Sequence, residues 1–176
     1  MTGPPLSEFS ELKHEVFALF YETSDLLLKC EDAAYAEFGL SQQQFLVLKA
    51  IESSDKPSVK IIDVARKLKR NSNSITMIID RMERDGLVER VRDLQDRRSV
   101  HLSLTEKGKK KLYQASKVGW SLILRLTSCF SEEEMKTFTR LIEKMREKTL
   151  KELNPEKAIE AIGKPNIEMA KRLLHD

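Results

Sequence analysis

The stretch Asn71-Ser72-Asn73-Ser74-Ile75-Thr76-Met77-Ile78-Ile79-Asp80-Arg81-Met82-Glu83-Arg84-Asp85-Gly86-Leu87-Val88 changes its repeat part-way, and that change decides the fold. Up to Met82 the apolar residues Ile75, Ile78, Ile79 and Met82 recur at three- and four-residue intervals, one face of a helix that Asn71 or Ser72 caps and Gly86 ends. Beyond Gly86 the period shortens. Leu87, Val88 and Val91 lead into the charged run Asp93-Leu94-Gln95-Asp96-Arg97-Arg98, after which Val100, Leu102 and Leu104 alternate with His101 and Ser103. Alternation on the far side of a polar turn predicts a β-hairpin. On the near side, Ile61 to Leu68 predicts a short helix only a few residues before the first. Two short helices so joined form a helix-turn-helix, whose second member can lie in a DNA major groove.

Working outward, Ser41 caps a helix through Phe45, Leu46, Leu48 and Ile51 that stops in the polar run Ser53 to Pro57. Before it, Ser7 caps a helix reaching about Glu37, with Leu12, Val16, Leu19, Phe20, Leu26, Leu27 and Cys30 in a broad stripe and Gly39 closing its end. At 1.5 Å per residue such a helix is about 45 Å long, more than a domain of this size needs, so half its length can serve a partner chain. Downstream, Thr105-Glu106-Lys107-Gly108 opens a long helix carrying Leu112, Ala115, Val118, Leu122 and Leu126. Ser131 caps a further one through Met135, Phe138, Leu141, Ile142 and Met145, with Glu132, Glu133 and Glu134 at the positive end of its dipole. Asn154-Pro155 closes it, and a tail of two short amphipathic pieces follows. The chain is mainly α.

With 176 residues, 40% hydrophobic and 34% charged, the chain has enough apolar surface for one ordinary domain and too little for two large ones. Its net charge of +3 says little, but the distribution says more. Lys60 to Lys111 holds 15 basic and 8 acidic residues, a local +7, while the remainder is −4. Cys30 and Cys129 stand 99 positions apart without metal-ligand spacing, and His14, His101 and His175 share none, so neither a zinc module nor a disulfide scaffold is expected. No cofactor or metal is expected. A cytoplasmic protein with no membrane span is. No nucleophile elbow, phosphate loop or paired-histidine metal motif occurs, which excludes the common enzyme classes.

The run Asp80 to Arg90, followed by Asp96-Arg97-Arg98-Ser99-Val100 and Leu104-Thr105-Glu106-Lys107-Gly108, resembles the winged helix-turn-helix of the MarR family, over about Phe9 to Leu153. The resemblance implies a homodimeric transcription regulator whose first and last long helices interlock two chains around a two-stranded β wing. It divides the chain into an N-terminal dimerisation helix (1–38), a winged helix-turn-helix (39–106), C-terminal dimerisation helices (107–153) and a helical tail (154–176). Three positions depart from the family pattern. Lys69 and Arg70 fill a turn that usually holds glycine and an apolar residue, Met77 stands where many members carry arginine, and the tail is longer than usual.

Within that frame Ser72, Asn73, Thr76 and Met77 face the bases, since Asn73 can pair with adenine and Thr76 or Met77 can meet a thymine methyl. Ser74, Arg81 and Arg84 fall to phosphate contacts or to neighbouring side chains. Arg97 and Arg98 sit at the hairpin tip, where one guanidinium can enter a narrow minor groove while Asp96 steadies its fork. By resemblance Arg98 is the inserted residue. Phe17, Tyr21, Tyr35 and Phe45, with Trp120, are the candidate lining for a small aromatic effector, although aromatics at helical spacing also serve as core. Cys30 inside its stripe reads as a buried, inert thiol, and His101 as an exposed residue of the wing. The expected function is a repressor that binds double-stranded DNA as a dimer on an inverted repeat. A protein-docking winged helix without DNA binding and a thiol-based oxidant sensor are the alternatives.

Overall fold

Helix starts and stops govern this chain. A computed structural model describes residues 10–54, 59–92 and 100–153 and gives six helices and two strands among them. They are α1 (Glu11–Ala36), α2 (Gln42–Glu52), α3 (Ile61–Leu68), α4 (Ser72–Arg84), β1 (Val88–Arg92), β2 (Val100–Leu104), α5 (Glu106–Thr127) and α6 (Glu132–Leu153). Ser10 precedes α1 without a side-chain cap bond, and the proposed Ser7 cap and the tail from Asn154 lie outside the described residues. Ser41 caps α2 reciprocally with Gln44: the Gln44 N–H donates to Ser41 Oγ at 3.2 Å and the Ser41 N–H to Gln44 Oε1 at 2.9 Å. Asp32 on α1 accepts from the Gln42 N–H at 2.7 Å and ties α1 to the start of α2. At α4 the cap is Asn71, whose Oδ1 accepts from the Asn73 N–H at 2.8 Å.

Three helices end alike. After α1, α3 and α4 one residue turns left-handed, and the next N–H reaches back five residues: Leu40 to Tyr35, Arg70 to Ala65 and Leu87 to Met82. Gly39 and Gly86 supply the left-handed residue twice, at φ +63° and +67°. Lys69 supplies it the third time, at φ 52°, so the turn that departs from the family pattern closes by the same bonds, at a cost of roughly 1 kcal/mol that a glycine would not carry.

The chain forms two compact units, divided after Gly119. In the first, Val47, Leu48, Val64, Ile75, Ile79, Met82, Leu87 and Val88 are fully buried where α2, α3 and α4 meet the strands. The strands pair antiparallel from Val88↔Leu104 to Arg92↔Val100, as the alternation predicts. Val59 adds a single bridge to Leu102, whose N–H donates to the Val59 carbonyl at 2.7 Å. Nothing periodic in the sequence announces this contact, because one bridged residue has no repeat.

The start of α5 is bolted onto the Gly86 turn. Thr105 Oγ1 donates to the Gly86 carbonyl at 2.7 Å and accepts from the Gly108 N–H at 3.0 Å, while Lys107 Nζ donates to the Asp85 carbonyl at 2.6 Å. In α5 Leu112 and Ala115 are buried as their spacing predicts. In the second unit Leu122 is buried, Ser131 and Glu134 close the start of α6, and no residue of α6 is buried.

One sequence expectation fails on α1: Cys30, expected in the core, is exposed. Leu12, Val16, Leu19, Phe20, Leu26 and Leu27 are exposed with it, which a helix lent to a partner chain allows, and Tyr35 is the one buried residue of the helix. An apolar stripe gathers side chains on one face without by itself burying them. Among the described residues no helix is long and apolar enough to cross a membrane.

Candidate nucleic-acid interface

α4 divides cleanly into two faces. Ile75, Ile79 and Met82 are fully buried, which fixes the rotation of the helix and turns Asn73, Ser74, Met77, Asp80, Arg81 and Arg84 outward. Ser72 and Thr76 are half-buried, and Thr76 Oγ1 donates to the Ser72 carbonyl at 2.9 Å. Among the described residues the Asn73 carboxamide has no partner, so its donor and acceptor pair stays open to an external group. The Arg81 guanidinium has no carboxylate partner there either, and Arg70, exposed in the turn before α4, is likewise uncommitted. The other nearby cations are engaged: Lys67 Nζ donates to the Ser53 carbonyl at 2.7 Å, and Arg84 Nε to the Asp80 carbonyl at 3.3 Å.

A residue without an assigned role in the sequence reading connects this helix to the wing. Arg90 on β1 donates to Asp80 Oδ1 at 2.5 Å through Nη2 and to Glu83 through Nη1. The hydrogen bond to Asp80, ahead of the pull of both carboxylates, holds the guanidinium above its ordinary pKa. Its single positive charge offsets half of the charge of these two α4 carboxylates, beside a face that otherwise presents Arg81 and Arg84. The signal was present as an arginine four residues past Gly86, but only the packing of β1 beside α4 shows that the two meet. Replacing Arg90 with Ala is expected to weaken duplex binding about tenfold at low salt and less at high salt, since the freed charges repel phosphate through a screened field. Adding Asp80→Asn and Glu83→Gln should restore most of the affinity; titrations at several salt concentrations check both, and a salt-independent loss would mean that only the geometry of α4 had changed.

The wing's tip residues Asp96, Arg97 and Arg98 lie outside the described residues, in the connection between Arg92 and Val100. His101, expected to be exposed, is half-buried on β2. The aromatic set does not come together. Tyr35 and Phe45 are buried and stacked with ring centroids 4.3 Å apart, and burial, with the Glu31 charge adding, pushes the Tyr35 phenol well above its ordinary pKa. Phe17 and Tyr21 stand on the exposed face of α1, 6.4 Å apart. Spacing of three and four residues cannot distinguish a helix end that packs on α2 from a middle whose side chains stand exposed. Among the described residues no cluster of histidine, cysteine and carboxylate side chains could hold a metal ion.

The family model described as MarR family matches residues 40–100. The HTH-type transcriptional regulator SarZ of Staphylococcus epidermidis is 32% identical over 102 residues, 58% of this chain and 68% of that protein. The homoprotocatechuate degradative operon repressor of Escherichia coli is 31% identical over 124 residues, covering 66% and 82% of the two chains. Among solved structures, the organohalide sensing regulator RdhR-CbdbA1625 in its 2,4-dichlorophenol bound form superposes with a TM-score of 0.75 at 23% identity, over 90% of this chain and 92% of that one. The S. aureus MepR–DNA complex gives 0.67 at 23% identity, over 74% and 94%. These two show the same fold, and the two sequence relatives, matched over more than two thirds of their length, show the family: the chain belongs to the MarR family of DNA-binding transcriptional regulators.

Proposed function

We propose that two copies of this chain bind an inverted repeat in duplex DNA, repress transcription there, and release it when a small aromatic molecule binds. The observation that carries the DNA reading is the outer face of α4, where an unpartnered amide, two arginines and an apolar side chain stand together on a helix whose inner face is locked in the core. Ser72, Asn73, Thr76 and Met77 would read bases, and Ser74, Arg81 and Arg70 would meet phosphate. Arg98, with Arg97 beside it and Asp96 as its support, would enter the minor groove. The relative named as a degradative operon repressor and the fold neighbour holding 2,4-dichlorophenol support the repressor and effector parts.

Selection of bound sequences from a random duplex pool tests the proposal. One preferred inverted repeat should emerge, and its log affinity should fall linearly with log salt at about −0.9 per phosphate contact. Asn73→Ala should cost about 1 to 3 kcal/mol at particular base positions, whereas Arg98→Ala should weaken binding and flatten any preference for narrow A·T-rich minor groove. A flat salt response with no preferred sequence would overturn the reading. For the effector, titration of small phenols with and without the selected duplex should show each weakening the other by the same factor, because coupling between two sites is reciprocal. With Tyr35 and Phe45 committed to the core, Phe17, Tyr21 and the half-buried Trp120 are the members of the aromatic set left to meet it. A phenol whose affinity ignores the duplex would be a bystander.

A further inference from the structure

We infer that Met77 reads the C5-methyl group of thymine, and so sets an A·T preference at one position of each half-site. The inference rests on the α4 reading above and gives it a chemical identity. Met77 is 59% exposed at the middle of the outer face of α4, with Asn73 one turn before it and Arg81 one turn after. Ile75 and Ile79, its neighbours two residues away on either side, are fully buried on the opposite face, so Met77 is not a core side chain left partly covered. A thioether is no donor and only a weak acceptor, and cannot exchange hydrogen bonds with a base edge. What it can do is cover apolar surface. In the major groove the methyl of thymine is the one apolar group that a base pair presents, and the other edge positions are donors or acceptors that a thioether would leave unpaired.

Thr76, the other sequence candidate for this contact, is less well placed for it than Met77. Its hydroxyl donates to the Ser72 carbonyl and its side chain is half-buried against the helix, one position round from the outer face. Asn73 and Met77 lie four residues apart, with Cβ atoms about 5–6 Å from each other on the same side of the helix. That separation lets the amide of Asn73 address an adenine while Met77 rests on a thymine methyl at a neighbouring step, base pairs being stacked about 3.4 Å apart. A polar face interrupted by one flexible apolar residue thus reads as a binary detector, methyl present or absent.

The test uses the full-length protein and the duplex recovered by selection, with deoxyuridine replacing each thymine in turn; uracil differs only in lacking the methyl. At one thymine per half-site the wild type should bind about fourfold more weakly, the worth of one methyl group removed from water. Met77→Gln, equal in length but polar, should bind thymine and uracil duplexes alike, whereas Met77→Leu should keep the discrimination. Replacing the critical A·T pair with G·C carrying 5-methylcytosine in the thymine position should recover part of the loss that unmethylated cytosine causes. Uracil without effect at every position, or discrimination that survives Met77→Gln, would overturn the inference while leaving sequence-specific binding intact. Absence of any preferred duplex would instead remove the DNA reading itself, and this inference with it.

Discussion

Replacing Gly108 with Ala is expected to destabilise the protein by about 3 to 5 kcal/mol, against the sign that helix propensity alone gives. Gly108 lies in the first turn of α5, where alanine is intrinsically better than glycine by about 1 kcal/mol. A Cβ at this position would, however, stand 2.0 Å from the Leu87 carbonyl oxygen and 3.0 Å from its carbon. That carbonyl is backbone and cannot rotate away. It already accepts from the Thr105 N–H at 3.2 Å, next to the Thr105 bonds that fasten α5 to the Gly86 turn. Relief requires α5 to move off the turn by more than an ångström, which opens the contacts of Leu87 and Val88 with the core. In thermal unfolding a chain of this length should lose about 8 to 15 °C. Gly86→Ala is the control, because the left-handed φ there costs about 1 kcal/mol while no atom stands within 4 Å of the new Cβ. Equal losses in the two variants would show that the close approach at Gly108 is relieved cheaply.

The same locality explains how much of the fold could be read beforehand. α2, α3, α4 and the two strands follow from period and punctuation, because Ser41, Asn71 and Gly86 act on their immediate neighbours through bonds that span two to five residues. Gly108 was legible as part of a family pattern but not as a steric necessity, since the atom that requires it belongs to Leu87, 21 residues away. Arg90, Val59 and Lys69 escaped for related reasons. An ion pair closed across the Gly86 turn, a lone bridge and a left-handed lysine leave no periodic trace. On α4 the two faces were legible because the core dictates which residues remain outside. On α1 the stripe was legible and its exposure was not, because period tells which side chains share a face and not whether anything lies against that face.

That uncovered surface carries the second large expectation: Leu141→Asp should turn a dimer into monomers and lower affinity for the selected duplex by about 10² to 10⁴. Leu141 is 51% exposed on α6, where Phe138 is 49% exposed, and α1 independently exposes Leu12, Val16, Leu19 and Phe20. So much large apolar side chain on two helices is unusual for a soluble monomer and ordinary for a chain that buries both faces against a second copy. Leu141 is the cleaner probe of the two on α6. Phe138 is already stacked on Phe130 within the chain, centroids 5.9 Å apart, so its loss would disturb the monomer as well. In a monomer Leu141→Asp would exchange an exposed leucine for an exposed carboxylate and change stability by no more than about 0.5 kcal/mol. In a dimer it strands a charge in an apolar seam, at a cost of several kcal/mol. The affinity loss follows from geometry, because a monomer engages one half-site and forfeits the high effective concentration of the second recognition helix. Sedimentation of wild type and variant at micromolar concentration, followed by titration with whole and half operators, separates the cases. Equal mass for the two proteins would rule out the α6 seam, and a full-affinity monomer would mean that one α4 suffices to read the site.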